Sequence, residues 1–191
     1  MIYLIFYGIL VLFVFLFALL LFIYSLFSVV AQLMGSPYVP TKQKEVEHIL
    51  KTAGLKKGQL LIELGSGDGR MIRTAVSRYK VHGIGVEIHP LLLFWSHIFV
   101  RLQKLTSLPV ESGSIIFKRE NFFKTNVSKA DAIFLFLMPN TLKKLRDKFI
   151  NECKKNTLII SHGFKIEGWE GFLQHTIHHT PFPTYFYRIL S

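Results

Sequence analysis

The sequence predicts an α/β fold: a mostly parallel sheet with helices on both faces and an antiparallel C-terminal hairpin, preceded by one N-terminal transmembrane helix. Three observations lead to this prediction. Residues 2–30 are almost wholly apolar, and no charged residue precedes Lys42. From there on, short apolar runs alternate with amphipathic segments, which is the pattern of strands and helices packed in layers. A glycine-rich turn at residues 65–69 joins the first predicted strand to the helix that follows it.

The apolar N-terminal run is predicted to be a membrane anchor at residues 1–33, and residues 34–191 are predicted to form one further domain. A helix of about 20 apolar residues is long enough to cross a bilayer. A cleaved signal peptide fits less well, because no Lys or Arg precedes the run and the run is longer than the usual apolar region of such a peptide. A buried core helix also fits less well, because a domain of this size could not surround a long helix that is apolar on all sides.

The charges of the chain all follow the predicted anchor. They comprise 23 Lys and Arg and 12 acidic residues, so the domain carries the whole net charge of +11. Because basic residues beside a span favour the cytoplasmic side, we predict a single-pass protein with its N-terminus outside and its domain in the cytoplasm. A prokaryotic inner membrane is the predicted location, and a mitochondrial inner membrane is the alternative. The charge would also favour an anionic lipid surface, whereas no nucleic-acid partner is expected.

The elements of the domain are predicted from local patterns, starting after a linker at residues 35–41 that contains two prolines. Val46 and Leu50 lie at helical spacing in the first helix, and Pro90 suits the first turn of a later one. The apolar run that ends at Leu137 is typical of a central parallel strand. The helices are predicted at residues 42–53, 71–79, 90–104 and 139–153, the parallel strands at 60–64, 83–87, 115–118, 131–137 and 157–161, and the hairpin strands at 172–178 and 185–190.

The glycine-rich turn belongs to the segment Glu-Leu-Gly-Ser-Gly-Asp-Gly-Arg at residues 63–70. A strand, a glycine turn and a helix in this order form a site for a nucleotide-like cofactor, because glycine lets the backbone approach a ligand and the helix offers free N–H groups. A dinucleotide fingerprint needs its third glycine at position 70, where this chain has Arg70. The spacing G-x-G-x-G, with Glu63 two residues before it, resembles the Rossmann-like class of S-adenosylmethionine (SAM) methyltransferases. An ordinary strand-to-helix turn is the alternative interpretation.

Polar side chains follow the predicted strands at the edge where this class of fold binds ligands. Glu87 ends the second strand, where an acid can accept hydrogen bonds from two ribose hydroxyls. Glu63 could orient the glycine turn or contact the amino-acid end of the cofactor. Asn121 follows the third strand, and its side chain could hydrogen-bond an adenine amino group. Phe122 could line the adenine pocket or belong to the core.

Further segments extend the resemblance to a particular family. They are Pro-Tyr-Val-Pro at residues 37–40, Gly-Val-Glu-Ile-His-Pro at 85–90, Lys-Arg-Glu-Asn-Phe-Phe-Lys at 118–124 and Phe-Leu-Met-Pro at 136–139. Together with the glycine turn, they resemble the membrane-anchored protein-lysine methyltransferases of mitochondria and their prokaryotic relatives, which modify the adenine nucleotide translocase or the ATP synthase c-ring protein. The resemblance covers nearly the whole chain. Two positions depart from it, since Asn121 is commonly Asp and His89 commonly Asn in the family.

The resemblance implies SAM as the cofactor and a lysine of a membrane protein as the methyl acceptor. It also implies that the segment around Tyr38 folds over the cofactor pocket. The predicted cofactor-binding residues are Tyr38, Thr41, Glu63, Gly65, Ser66, Gly67, Glu87, Ile88, Asn121 and Phe122. No catalytic residue is assigned, because methyl transfer to an amine needs positioning rather than a particular side chain. A lipid or small-molecule methyltransferase at the membrane surface, and a non-catalytic basic module that binds RNA or anionic membrane, are the alternative functions.

Two other features are predicted to be structural. Cys153 is the single cysteine, so no disulfide can form within the chain, and we interpret it as a structural residue. His175, His178 and His179 form a cluster, but no cysteine or carboxylate accompanies them at a recognisable ligand spacing, so no metal is expected.

Overall fold

The computed structural model describes residues 2–33, 39–106, 113–178 and 180–190. The helices are α1 (Ile2–Leu33), α2 (Gln43–Ala53), α3 (Arg70–Tyr79), α4 (Pro90–Thr106) and α5 (Pro139–Glu152). The strands are β1 (Leu60–Leu64), β2 (His82–Glu87), β3 (Ile115–Arg119), β4 (Ala132–Leu135), β5 (Leu158–His162), β6 (Leu173–Ile177) and β7 (Thr184–Arg188). A single 3₁₀ turn, Glu170–Phe172, precedes β6.

The seven strands form one sheet in the order β3-β2-β1-β4-β5-β7-β6. The first five in this order are parallel to their neighbours, and β7 pairs antiparallel with both β5 and β6. The predicted sheet, mostly parallel with an antiparallel C-terminal hairpin, is therefore confirmed. Since β2 and β3 extend to one side of β1 while β4 and β5 extend to the other, the strand order reverses at β1. Open α/β sheets bind ligands at such a reversal, beyond the carboxyl ends of the strands.

Apolar side chains on both faces of the sheet hold the helices to it. On β1, Ile62 faces the cluster shared with α5, and Leu61 faces the cluster shared with α2 and α3. The helices contribute Leu142, Leu145 and Phe149 to the first cluster and Val46, Ile49, Leu50, Met71, Ile72, Ala75 and Val76 to the second. The two clusters fix the carboxyl end of β1, and with it the glycine turn, between two packed layers.

The central strand β4 is shorter than its apolar run suggests. It ends at Leu135, whereas the sequence predicted a strand to Leu137. Its last pairs are Leu64 of β1 on one side and Ser161 of β5 on the other. Beyond Leu64 the chain turns at Gly65, so β4 loses its neighbour on that side. Leu137 is nevertheless buried, which is why its apolarity looked like a continued strand.

The N-terminal helix α1 is continuous over its 32 residues. Its stretch Ile2–Leu26, 25 residues long, meets the length and composition expected of a helix that crosses a membrane, and none of it is buried inside the described structure. Near the end of this stretch, the ring of Tyr24 lies 5.6 Å from the ring of His89, measured between centroids. Since His89 comes two residues after Glu87, this contact brings α1 next to the carboxyl end of β2.

Candidate cofactor site

The carboxyl ends of β1, β2 and β3 lie side by side, because the three strands are parallel and in register. Beyond them follow the glycine turn after β1, residues 88–89 after β2 and residues 120–123 after β3. The fold thus places the predicted site residues of these three strands along one edge of the sheet. The edge is closed on one side by α2 and α3, which pack against β1.

The glycine turn adopts a backbone that only glycine takes up readily. Gly65, Gly67 and Gly69 have φ angles of +81°, +54° and +73°, values at which a Cβ atom would be strained. The backbone N–H groups of Gly65 and Ser66 both donate to the carbonyl oxygen of Val86, at 2.9 Å each. A Cβ atom on Gly69 would also overlap the ring of Phe117. The turn is therefore tied to β2 and packed against β3.

The carboxylate of Glu87 connects the turn to the loop after β2. Its Oε2 accepts a hydrogen bond from the N–H of Gly67 at 2.9 Å, and its Oε1 accepts one from the N–H of His89 at 2.8 Å. The side chain is buried, with 8% of its surface exposed. Each carboxylate oxygen accepts more than one hydrogen bond, so both keep capacity for a ligand. Glu87 is thus positioned by the protein from two sides and can still accept from a pair of hydroxyls.

Glu63 lies on β1 with its carboxyl group buried beneath the turn. Among the described residues, its Oε2 has no hydrogen-bond partner. Burial raises the pKa of this carboxyl well above its ordinary value, and the nearby Asp68 carboxylate raises that pKa further. A carboxyl group in this state holds its proton, so it can donate a hydrogen bond as well as accept one. The hydroxyl Oγ of Ser66 is a second buried polar atom without a partner in the described part of the chain.

Arg70 fastens the segment before α2 to the turn. Its guanidinium binds Asp68 through two nitrogens, with Nη2 2.7 Å from Oδ2 and Nε 3.0 Å from Oδ1. Its Nη1 donates to the carbonyl oxygen of Thr41 at 2.8 Å. Thr41, a predicted site residue, is therefore held close to the glycine turn despite its distance in sequence. Tyr38, which the resemblance places over the pocket, lies outside the described residues.

The loop after β3 brings the remaining predicted residues to the same edge. Asn121 Oδ1 accepts a hydrogen bond from the N–H of Phe123 at 3.0 Å, which fixes the turn of this loop. The rings of Phe122 and Phe123 contact one another, with centroids 4.8 Å apart, and both pack on the core. Phe122 therefore combines the two positions that the sequence left open, at the site's edge and against the core. Ile88, between Glu87 and His89, is half-buried.

Three residues at the site were not singled out as ligand contacts from the sequence. Asp68 and Arg70 form the ion pair described above, and the Asp-Gly-Arg extension of the turn was the only local signal for it. His162, fully buried at the end of β5, has its Nδ1 2.8 Å from the hydroxyl of Thr184 and its Nε2 3.8 Å from Glu45 Oε2. No sequence pattern indicated this, because Glu45 and Thr184 reach His162 only through the packing of α2 and β7.

The histidine cluster near the C-terminal hairpin lies away from this edge. His175 is exposed on β6 and its ring contacts Phe186, and His178 is exposed as well, while His179 lies outside the described residues. Within the described ranges, no group of three His, Cys, Asp or Glu residues is arranged to hold a metal ion. Cys153 is buried, and burial raises the pKa of its thiol to about 12, which agrees with a structural role.

Comparison with known proteins identifies the chemistry of this edge. Residues 63–172 match the family model of the ANTKMT methyltransferase domain, a match that begins at Glu63 itself. A protein-lysine N-methyltransferase from Saccharolobus islandicus is 33% identical over 152 residues, covering 74% of this chain and 91% of that protein. The adenine nucleotide translocase lysine N-methyltransferase of Mus musculus is 27% identical over 135 residues, covering 70% of this chain and 56% of that protein.

A lysine N-methyltransferase of Homo sapiens that is named for the c-type subunit of ATP synthase is 25% identical over 133 residues, covering 70% of this chain and 54% of that protein. The chain thus spans about half the length of the mammalian relatives. Among solved structures, an RNA methyltransferase from Salinibacter ruber in complex with S-adenosyl-L-homocysteine matches with a TM-score of 0.72 and 25% identity, over 80% of this chain and 95% of that one. These matches confirm SAM as the cofactor, and this chain belongs to the ANTKMT methyltransferase domain family of SAM-dependent protein-lysine methyltransferases.

Proposed function

We propose that this chain is a membrane-anchored enzyme that transfers a methyl group from SAM to a lysine side chain of a membrane protein. The mammalian relatives support this class of acceptor, since their names specify lysines of the adenine nucleotide translocase and of an ATP synthase component. The helix α1 supports the anchor. The observation that carries the enzymatic part is the carboxylate of Glu87, held between the N–H groups of Gly67 and His89 at the end of β2.

The residues at this edge fit SAM. The oxygens of Glu87 can accept from the two ribose hydroxyls, and the buried Glu63 Oε2 and Ser66 Oγ lack partners among the described residues. Neither buried atom would persist without a hydrogen bond unless a ligand or water satisfied it. We assign the cofactor contacts to the set predicted from the sequence: Tyr38, Thr41, Glu63, Gly65, Ser66, Gly67, Glu87, Ile88, Asn121 and Phe122.

The part that the protein plays in the reaction follows from the chemistry of the reactants. Bound SAM supplies a methyl group on a positively charged sulfonium. The acceptor lysine must lose its proton to become a nucleophile, and withdrawal from water lowers the pKa of its ammonium group. Holding the two reactants in line can supply roughly 7–11 kcal/mol of the barrier reduction. Arg70 contributes by holding the segment of Thr41 beside the site, where that segment can exclude water.

The proposed anchor is residues 1–33, and the proposed catalytic domain is residues 34–191. Because α1 contacts the domain at His89, the anchor would keep the cofactor edge near the membrane surface. Confinement to one surface raises the effective concentration of an enzyme and its membrane-embedded target. A lysine close to the membrane interface would therefore be the natural acceptor.

The test is a methylation assay with labelled SAM and the full-length protein in native membranes. After incubation, the label is measured separately in the membrane-protein, soluble-protein, lipid and RNA fractions. The matched control is Glu87→Gln, which keeps the shape of the side chain but replaces one acceptor oxygen. We expect label in the membrane-protein fraction with the wild-type chain and little label with Glu87→Gln. Label confined to the lipid fraction would show a lipid methyltransferase instead, and label confined to RNA would show a nucleic-acid acceptor.

A further inference from the structure

The helix α4 presents apolar side chains to the outside of the domain. Its outward side carries Leu91, Phe94, Trp95, Ile98, Leu102 and Leu105, which we call the outer stripe of α4. The stripe follows helical spacing, so its members lie on one side of the helix over nearly its whole length. Phe94 is 56% exposed and Leu105 82%, whereas Ser96 on the opposite side is fully buried. In a water-soluble helix the arrangement is the reverse.

An exposed apolar stripe of this length marks an interaction surface. Its position indicates what covers it. The ring of Tyr24, two residues before the end of the proposed span at Leu26, contacts the ring of His89. His89 directly precedes Pro90, the first residue of α4. The first turn of α4 therefore lies at the level where α1 leaves the apolar part of the bilayer, about 3 Å along the helix from Leu26 at 1.5 Å per residue.

The chemistry of the stripe suits the boundary between lipid and water. Trp and Phe are enriched at this boundary, because their rings are apolar and Trp carries one polar N–H. Arg101, exposed on the flank of the stripe, can reach lipid phosphates while its stem stays on the apolar surface. The net charge of +11 on the domain also favours an anionic leaflet.

We propose that the outer stripe of α4 lies in the headgroup region of an anionic bilayer, so that α4 is a second membrane contact beside α1. This inference rests on the anchoring part of the proposed function. Two contacts on neighbouring elements fix the orientation of the domain, which one span alone would not do. The β2 end with Glu87 would then lie at a fixed height above the membrane, at the level of a lysine just outside an acceptor's span.

Tryptophan fluorescence can test this inference, because the chain has only two tryptophans and they differ in exposure. Trp95 belongs to the outer stripe and is 49% exposed, and Trp169 is fully buried. The full-length protein is reconstituted in vesicles of phosphatidylcholine and phosphatidylglycerol in equal parts, with spin-labelled lipid that carries its quencher either near the headgroup or near the chain end. Trp95→Phe is the matched control, since it retains only Trp169. The difference between the two proteins is the signal of Trp95.

We expect the headgroup-level quencher to reduce Trp95 emission several-fold more than the chain-end quencher does, and aqueous iodide to have little effect. Trp95 open to iodide and insensitive to both lipid quenchers would overturn the inference. Protection from iodide and from both lipids would also overturn it, by showing that another protein surface covers the stripe. Flotation of the same vesicles reports on α1 separately: protein that does not float contradicts the anchor itself, whereas protein that floats with an unquenched Trp95 contradicts only the role of α4.

A second probe guards against an effect of the Trp95 substitution on folding. Leu105→Cys places a thiol at the far end of the stripe, about 15 Å from Trp95 along the helix, and the buried Cys153 is protected from labelling. An environment-sensitive dye at position 105 should report the same depth as Trp95 if α4 lies along the surface. A dye that is in water while Trp95 is in lipid would contradict that orientation.

Discussion

At the scale of single residues, Glu87 combines two tasks. Its carboxylate ties Gly67 to His89 and keeps acceptor capacity for a ligand. The sequence predicted the second task from the position of an acid after the second strand. It could not predict the first, because the bond from Gly67 depends on how β1 and β2 pair. A similar limit applies to Arg70, whose bond to the Thr41 carbonyl joins two distant segments.

Glu87→Gln should weaken SAM binding. The amide has one acceptor oxygen, so it cannot accept from Gly67, His89 and a ligand as the carboxylate can. Hydrogen bonds to charged groups contribute about 1.5–3 kcal/mol, and the loss of one corresponds to roughly a tenfold or larger rise in Kd. Calorimetric titration of the full-length protein in detergent measures this change. Glu167→Gln, at an exposed glutamate, is the control and should leave Kd unchanged; equal affinities for all three proteins would contradict the assignment.

Glu63→Gln should stabilise the protein at neutral pH and weaken SAM binding. Glu63 keeps its proton in the folded state well above its ordinary pKa, whereas the unfolded chain releases it near that value. The wild type therefore loses stability as pH rises above about 4, and the glutamine variant is free of this loss. Urea unfolding at several pH values should show a gap in the free energy of unfolding that is absent near pH 4 and grows toward neutrality, with pH 4 taken as about the ordinary glutamate pKa. A gap independent of pH would contradict the buried, protonated state of Glu63.

At the scale of elements, the turn between β1 and α3 is the part that the sequence predicted best. Its glycines are local signals, since their φ angles are required by the turn itself. The end of β4 was harder to predict, because Phe136 and Leu137 are as apolar as the strand before them, and the strand stops only where its partner β1 turns away. The outward apolar side of α4 was not predictable either. Its sequence, Pro90–Thr106, is apolar over most of the circumference, so periodicity alone does not show which side faces out.

Gly69→Ala should destabilise the domain more than Gly58→Ala does. Both positions have positive φ angles, +73° and +82°, so both variants bear the cost of a side chain in the left-handed region, about 1–2 kcal/mol. At Gly69 the new Cβ also overlaps the ring of Phe117, whereas nothing lies within 4 Å of the Cβ position at Gly58. Urea unfolding measures both. Equal losses for the two variants would show that the turn does not pack against β3.

At the scale of the whole molecule, the sheet order and the helix α1 agree with the predicted architecture, and the contact of Tyr24 with His89 adds what the sequence lacked, a place where the two parts meet. The proposed topology has its own test. A reporter that is active only in the cytoplasm, fused to the C-terminus, should be active, and one that is active only after export should be silent. Activity of the exported reporter would reverse the proposed orientation, without bearing on the cofactor site.

The proposed function depends above all on a lysine of a membrane protein as the methyl acceptor. Peptide mapping by mass spectrometry identifies that residue, using membrane proteins incubated with SAM and either the wild-type chain or Glu87→Gln. We expect a methylated lysine close to the boundary of a membrane span, present with the wild type and absent with the variant. Methylation that is confined to soluble proteins, or that is equal with both proteins, would contradict the proposed function.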